Sequence, residues 1–360
     1  MNTDDKARPR RKRGRLVALA LLVALAGAGV FAARVKPGPV YWVDLYWTVL
    51  IENGWVDPFS DRYPWTVAVD WSPDGATLVT AGYHPDVLLW DAATGTLRRH
   101  LEGHRAWVQE AVFSPDGMRV ASVDWAGDVL VWSTAASGKA PLRLKAGRDL
   151  FTVTFHPTRP LLATGSYEGK VTVFDLRTAR VKRRLVANPG GTLFITYSPE
   201  GGLLAAGGED ASIHLLDSTT YKPVARLQGH EGGVTSLSFT RDEKRLLSCG
   251  DDGTVRLWDL TARKLLRTWH SGARWVNFCT LLPDGQRFLT GDTSGAVRLW
   301  QVASAERGRV LGRHDDWVQC VRVSRDGARA ASVGKAGKIH IWDLEATRLL
   351  RTMDVAQVMR

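Results

Sequence analysis

Residues 245–259 read RLLSCGDDGTVRLWD: an apolar run from Arg245 to Cys249, a turn at Gly250 to Gly253, and a second run from Thr254 that ends on Trp258 and Asp259. In the second run polar and apolar side chains alternate with period two, as in a strand with one buried face, and the turn glycines supply backbone angles that other residues resist. A further turn, Thr240 to Glu243, lies just ahead. The segment therefore reads as short antiparallel strands joined by tight turns.

The same reading returns along the chain. Leu89-Trp90-Asp91, Val131-Trp132-Ser133, Val173-Phe174-Asp175, Leu215-Leu216-Asp217, Leu257-Trp258-Asp259, Leu299-Trp300-Gln301 and Ile341-Trp342-Asp343 are seven copies spaced 42 residues apart without insertion. Turns beginning at Ser72, Ser114, His156, Ser198, Thr240, Leu282 and Ser324 keep the same register, most of them with the Pro or Gly that presets turn angles. A unit of this size holds four strands and cannot bury both faces of its sheet alone. Neighbours must stack, and radial stacking protects the sheet edges. The expectation is an all-β, seven-bladed β-propeller over residues 61–355, with four antiparallel strands per blade. An open solenoid is the alternative, but no distinct polar cap repeat is present to end one.

Gly103-His104, Gly229-His230 and Arg313-His314 each place the His 28 residues before the Trp of its repeat. On these residues the chain resembles the WD-repeat (WD40) family from residue 65 to about 353. The resemblance implies a hydrogen-bonded relay of His, Ser or Thr, Asp and Trp inside each blade. Its full set is read only in the fifth blade, as His230, Ser248, Asp252 and Trp258. The second blade has Ala126 at the Asp position, and the third and fourth have Ala146 and Asn188 at the His position. The sixth has Gly272 there, with His270 two residues earlier. Taken without the repeat, His230, Ser248 and Asp252 would pass for a hydrolytic triad. The repeat makes them structural, and removal of His230 is expected to cost about 1–3 kcal/mol.

Ahead of the repeats the chemistry changes. Residues 1–15 carry seven basic and two acidic side chains, a net +5 of the chain's +11, and Leu16 to Ala33 are eighteen residues without a charge. That length suits a transmembrane signal anchor, and the positive-inside rule then leaves the N-terminus in the cytoplasm and the propeller across the membrane. Ala26-Gly27-Ala28 offers the alternative of a cleaved export signal, with a periplasmic or secreted product. Residues 34–60 form an aromatic-rich linker. In it Tyr41 to Glu52 reads either as an extra edge strand or as a membrane-proximal segment. Leu349 to Met353 already resembles an outer strand for the last blade, so ring closure need not borrow an N-terminal strand. Richness in Ala, Gly and Arg together with the compact N-terminal signal points to a bacterial chain. The basic excess beyond residue 15 is spread over outer strands, and no nucleic-acid partner is expected.

No metal, cofactor or catalytic motif stands out. The three cysteines, Cys249, Cys279 and Cys320, fall in strands and read as small core residues rather than a disulfide framework. One series is uneven. The residue that opens the innermost strand is Trp65, Trp107, Asp149, Gly191, Gly233, Trp275 and Trp317 in the seven blades, so the four indoles become neighbours once the ring closes. In WD-repeat proteins this position lies on the rim that receives partner peptides. The resemblance implies a partner-binding patch of Trp65, Trp107, Trp275 and Trp317, with Arg148, Asp149, Arg274 and Asp316 adding polar selectivity. The competing reading is that each indole plugs the gap between two blades. The expected function is a non-catalytic scaffold that docks a protein or peptide, held to a membrane through residues 16–33 or exported. Alternatives are an enzyme or small-ligand sensor using the central channel, and permanent packing into an envelope complex.

Overall fold

The computed structural model describes residues 65–135 and 138–359. The readings of the polybasic stretch, the apolar run and Tyr41 to Glu52 fall outside those residues. Seven four-stranded antiparallel sheets, at residues 66–101, 108–145, 150–186, 192–228, 234–270, 276–313 and 318–354, are the seven blades, each with its strands in chain order from the axis outward. The inner strand of the last blade, Val318–Val323, packs on the inner strand of the first, Thr66–Trp71, so the ring is closed. The fold is the expected seven-bladed propeller.

Apolar layers between blades hold it together. Val79, Ala81, Val87 and Leu89 of blade one, for example, lie buried against Val108, Ala111 and Val120 of blade two. Trp90, Trp258, Trp300 and Trp342, from the sequence repeat, are almost wholly buried. Cys249, Cys279 and Cys320 are free thiols in these layers. Polar side chains of the inner strands stitch one blade to the backbone of the next. The Phe113 N–H donates to Asp70 at 2.9 Å, the Val153 N–H to Glu110 at 2.8 Å, and the Leu281 N–H to Ser238 at 3.0 Å.

Among the described residues, closure uses no exchanged strand. All four strands of blade seven come from its own unit, ending with Arg348–Asp354, and blade one likewise owns its outer strand, Leu97–Leu101. The seam is made by side chains: Trp71 Nε1 donates to the Arg322 carbonyl at 3.1 Å, Arg329 donates to the Gly75 carbonyl at 2.7 Å, and Arg351 donates to the Ala93 carbonyl at 2.8 Å.

Two local features prepare the faces of the ring. Each inner strand carries a register irregularity at its first residues, as between Thr66 and Ala68, and such bulges re-aim nearby side chains. At the other end, the hydroxyls of Ser72, Ser114, Thr240 and Ser324 bond the acids two residues on and hold Asp74, Asp116, Asp242 and Asp326 below the usual carboxylate range. Those acids staple turns around the ring and do not converge.

Candidate functional site

The indoles meet through a second set of residues. In each blade the residue after the second strand donates its backbone N–H to the carbonyl of the residue that opens the inner strand: Tyr83 to Trp65, Trp125 to Trp107, Tyr167 to Asp149, Glu209 to Gly191, Asp251 to Gly233, Thr293 to Trp275 and Lys335 to Trp317, at 2.8–3.2 Å. Two residues per blade therefore share one rim. This second series repeats at 42 residues like the first and was open to a sequence reading that compared it position by position.

Across blades six, seven, one and two the rim is a continuous aromatic arc. Trp275 and Trp317 meet edge to face with centroids 5.5 Å apart, and Lys335 Nζ lies 4.9 Å from the Trp317 ring and 4.2 Å from the Trp65 ring. Tyr83 then bridges Trp65 at 5.2 Å and Trp107, on which it stacks, at 4.8 Å. Trp65, Trp107 and Trp317 are half-buried, whereas Trp275 is only 8 % exposed, with the Arg274 guanidinium 4.6 Å above its ring. Trp275 packs beneath the arc, while the other three indoles keep surface at the rim. Arg148, Arg274 and Asp316 are exposed, and Asp316 Oδ1 accepts the Trp317 N–H at 2.7 Å. Asp149 opens its strand at φ 58°, a left-handed angle that Asp tolerates better than most residues. Burial and the nearby Glu168 raise its carboxyl above the ordinary range, against the pull of Arg148.

The relay of blade five is assembled. His230 Nε2 lies 2.7 Å from Ser248 Oγ, His230 Nδ1 lies 2.9 Å from Asp252, and Trp258 Nε1 donates to Ser248 Oγ at 2.8 Å. Ser248 is fully buried with its oxygen engaged by both rings, so no substrate carbonyl can approach it. A second complete relay, read as degenerate in the sequence, stands in blade two. His104 Nε2 meets Ser122 at 2.6 Å, Trp132 Nε1 donates to Ser122 at 3.0 Å, and His104 Nδ1 meets a carboxylate at 2.8 Å. That carboxylate is Asp124, two residues before Ala126. The expectation of one full set is thus corrected, because the imidazole needs an acid at Nδ1 and the end of the second strand, Arg119–Asp124, can supply it. In blade four Asn188 donates to Asp210 at 2.8 Å in place of a His.

Blade seven has neither acid. His314 Nε2 meets Ser332 at 2.7 Å, and the His340 ring stacks on His314 with centroids 3.9 Å apart, leaving both Nδ1 atoms buried without a hydrogen-bond partner. Burial lowers both imidazoles, with His340 adding to the effect on His314 and Lys338 to that on His340, to about 3 for His314 and about 4 for His340. The unfolded chain binds these protons first, near pH 6.5, so the stability the neutral pair contributes is complete above that pH and is lost as pH falls toward 4. His340→Leu, the residue type at Leu88 and Leu130 in blades one and two, is expected to stabilise the ring by about 1 kcal/mol at pH 5 and to change little at pH 8. Thermal unfolding at both pH values checks this; an equal effect at the two would sink it.

At the opposite mouth the channel opens into a cavity of about 340 Å³ that sequence reading did not anticipate. Arg322 of blade seven reaches across it, 3.0 Å from Glu110 of blade two, with its guanidinium carbon 4.6 Å from the Phe278 ring and 5.6 Å from the Phe194 ring. Burial pushes the Asp70 and Glu110 carboxyls above the usual range against the pull of Arg322. The hint in the sequence was two charges, Asp70 and Arg322, in an inner-strand series otherwise Val, Thr, Thr, Ser and Thr.

Among known proteins, no curated protein gives a significant match to the chain. The family described as the IFT122 first beta-propeller matches residues 65–343, from the first rim indole to the last Trp-Asp pair. The match reaches all seven blades of this WD40-type propeller, stopping short of the outer strand of the last, and the chain belongs to that family.

Proposed function

We propose that the protein is a non-catalytic scaffold that docks a protein or peptide on its aromatic rim, and that it does so beyond the cytoplasmic membrane, anchored or exported by residues 16–33. The observation that carries the docking reading is the arc Trp107, Tyr83, Trp65, Lys335, Trp317, in which half-buried rings follow one another along one face with the Lys335 ammonium bridging Trp65 and Trp317. Rigid aromatic groups gathered at a surface are the side chains that most often anchor an interface. The blade-five triad geometry is occupied by structural hydrogen bonds, which favours docking over hydrolysis.

A crosslinked pull-down from native membranes tests the rim. The parent chain is expected to capture a partner that a folded variant with Trp65, Trp107 and Trp317 changed to Ala does not. With that partner in hand, Trp317→Ala alone should weaken binding by about 2 kcal/mol, roughly 30-fold. Equal capture by parent and variant removes the rim from the interface. For the compartment, alkaline phosphatase fused after Arg360 is expected to be active, since the enzyme matures only outside the cytoplasm; an inactive fusion overturns that placement.

A further inference from the structure

At the channel mouth away from the rim, the cavity spanned by Arg322 gathers groups that the docking reading does not use. Its volume of about 340 Å³ lies at the small end of the range for ligand pockets, roughly 300–1,000 Å³, and suits a molecule the size of a monosaccharide. Asp70, Glu110, Arg322 and Arg325 line it, and their formal charges cancel. Glu110 is fixed between the Val153 N–H at 2.8 Å and Arg322 at 3.0 Å, while the Phe194 and Phe278 rings support the guanidinium, whose side chain stays partly exposed to the cavity. Asp70 accepts the Phe113 N–H through Oδ2 at 2.9 Å; half-buried at the wall, it retains acceptor positions, since a carboxylate has about four. Blades three and four add the half-buried hydroxyls of Thr154 and Thr196, whose bonds to the carbonyls of the next residues are long, 3.5 and 3.3 Å. Phe155 and Phe194 supply apolar wall beside them.

This lining selects against a net charge. Burial already holds Asp70 and Glu110 above the usual carboxylate range against the pull of Arg322, so a ligand bearing one charge would leave a charge uncancelled in a partly desolvated space. A hydroxyl both donates and accepts, so neighbouring hydroxyls on one ligand can give to Asp70 while taking from guanidinium and threonine donors. We infer that this cavity binds a neutral polyhydroxylated small molecule, a pyranose sugar, with its hydroxyls on Asp70, Arg322, Arg325, Thr154 and Thr196 and its C–H faces against Phe155 and Phe194. The site lies at the opposite mouth from the aromatic arc, and it stands whether or not the rim docks a partner.

Saturation-transfer NMR on the full-length chain, in an amine-oxide detergent that carries no sugar head group, tests this. The probes are glucose, galactose, mannose and their methyl glycosides, with alanine, phenylalanine and succinate as charged comparisons. At least one hexose is expected to give saturable transfer, and the amino acids and succinate none. The Thr154→Val, Thr196→Val double variant, matched to the parent in thermal unfolding, should bind that hexose about ten-fold or more weakly. Arg325→Gln, a change at an exposed residue that keeps the measurement open should the double variant misfold, should weaken it about three-fold or more. Transfer to the methyl glycoside as well gives the site to the end of a glycan chain, and transfer to the hexose alone gives it to a free sugar; both support the pyranose. Saturable transfer to the amino acids or succinate alone overturns the ligand class. Equal hexose binding by the parent and both variants overturns the cavity as its place. No saturable binding by any probe overturns the site and leaves the rim standing.

Discussion

Arg322→Met is expected to destabilise the propeller by about 3 kcal/mol at pH 8, the largest effect of any single change in the channel. The guanidinium lies beside two carboxylates, Asp70 and Glu110, whose attraction to it is outweighed by burial, so that both already sit above the usual range. Its side chain is 22 % exposed, into the cavity it spans, so the loss belongs at the lower end of that for a wholly buried pair. Without it the folded state holds its protons more tightly than the unfolded chain. Stability then rises as pH falls, and the deficit should shrink toward pH 5. Chemical unfolding at the two pH values reads this directly. Adding Asp70→Asn and Glu110→Gln to Arg322→Met should recover most of the loss, since removing a whole buried charge cluster costs far less than orphaning part of it. A pH-independent deficit, or no recovery in the triple variant, would show that Arg322 acts by packing against Phe194 and Phe278 alone.

The second large effect separates the two relays. His104→Ala is expected to cost about 3 kcal/mol and His230→Ala about 1–2 kcal/mol, although the imidazoles make matching bonds. The difference lies in what remains. Asp124 is wholly buried and would keep only the Asp128 N–H at 2.8 Å. Asp252 would keep the Glu231 and Thr254 N–H groups, each at 3.0 Å, the Thr254 hydroxyl at 2.7 Å and Arg256 at 3.4 Å. An orphaned buried carboxylate is the costly species, so the better-supported acid tolerates loss of its histidine better. Equal losses in guanidinium unfolding would contradict this ordering, and no loss for His230→Ala would undo the relay reading of blade five.

The architecture was legible because its signals are local and repeated. Trp258-Asp259 and its counterparts end the third strand of a blade, turns such as Ser-Pro-Asp-Gly join the first strand to the second, and a fixed 42-residue spacing leaves the stack little freedom. What escaped depended on contacts that spacing does not encode. The blade-two acid was missed because Ala126 fills the expected slot while Asp124 reaches the same ring nitrogen from two residues earlier. Tyr83 and Lys335 follow the second strand rather than open the first, so the inner-strand series does not contain them, although their own series repeats as faithfully. Trp275 shows the limit of pattern alone: it shares its position with three half-buried indoles, yet Arg274 and Trp317 cover it. Arg322 and Glu110 are 212 residues apart, and only the closed ring brings them together.

That each described blade draws its four strands from its own unit sets the order in which the ring can form. Each blade pairs strands that are consecutive in the chain, so its hairpins are local and can zip as the polypeptide emerges, with apolar flanks sheltered by the preceding blade. A propeller that borrows its first strand must hold that strand in reserve until the last unit arrives. Here blade one is complete by Leu101. Among the described residues the long-range step is the meeting of finished edges, where Trp71 and Ala93 wait for Arg322 and Arg351. Assembly becomes a linear stacking process with a single terminal latch, and a chain halted after blade six is an arc whose two open flanks are the surfaces most in need of a chaperone.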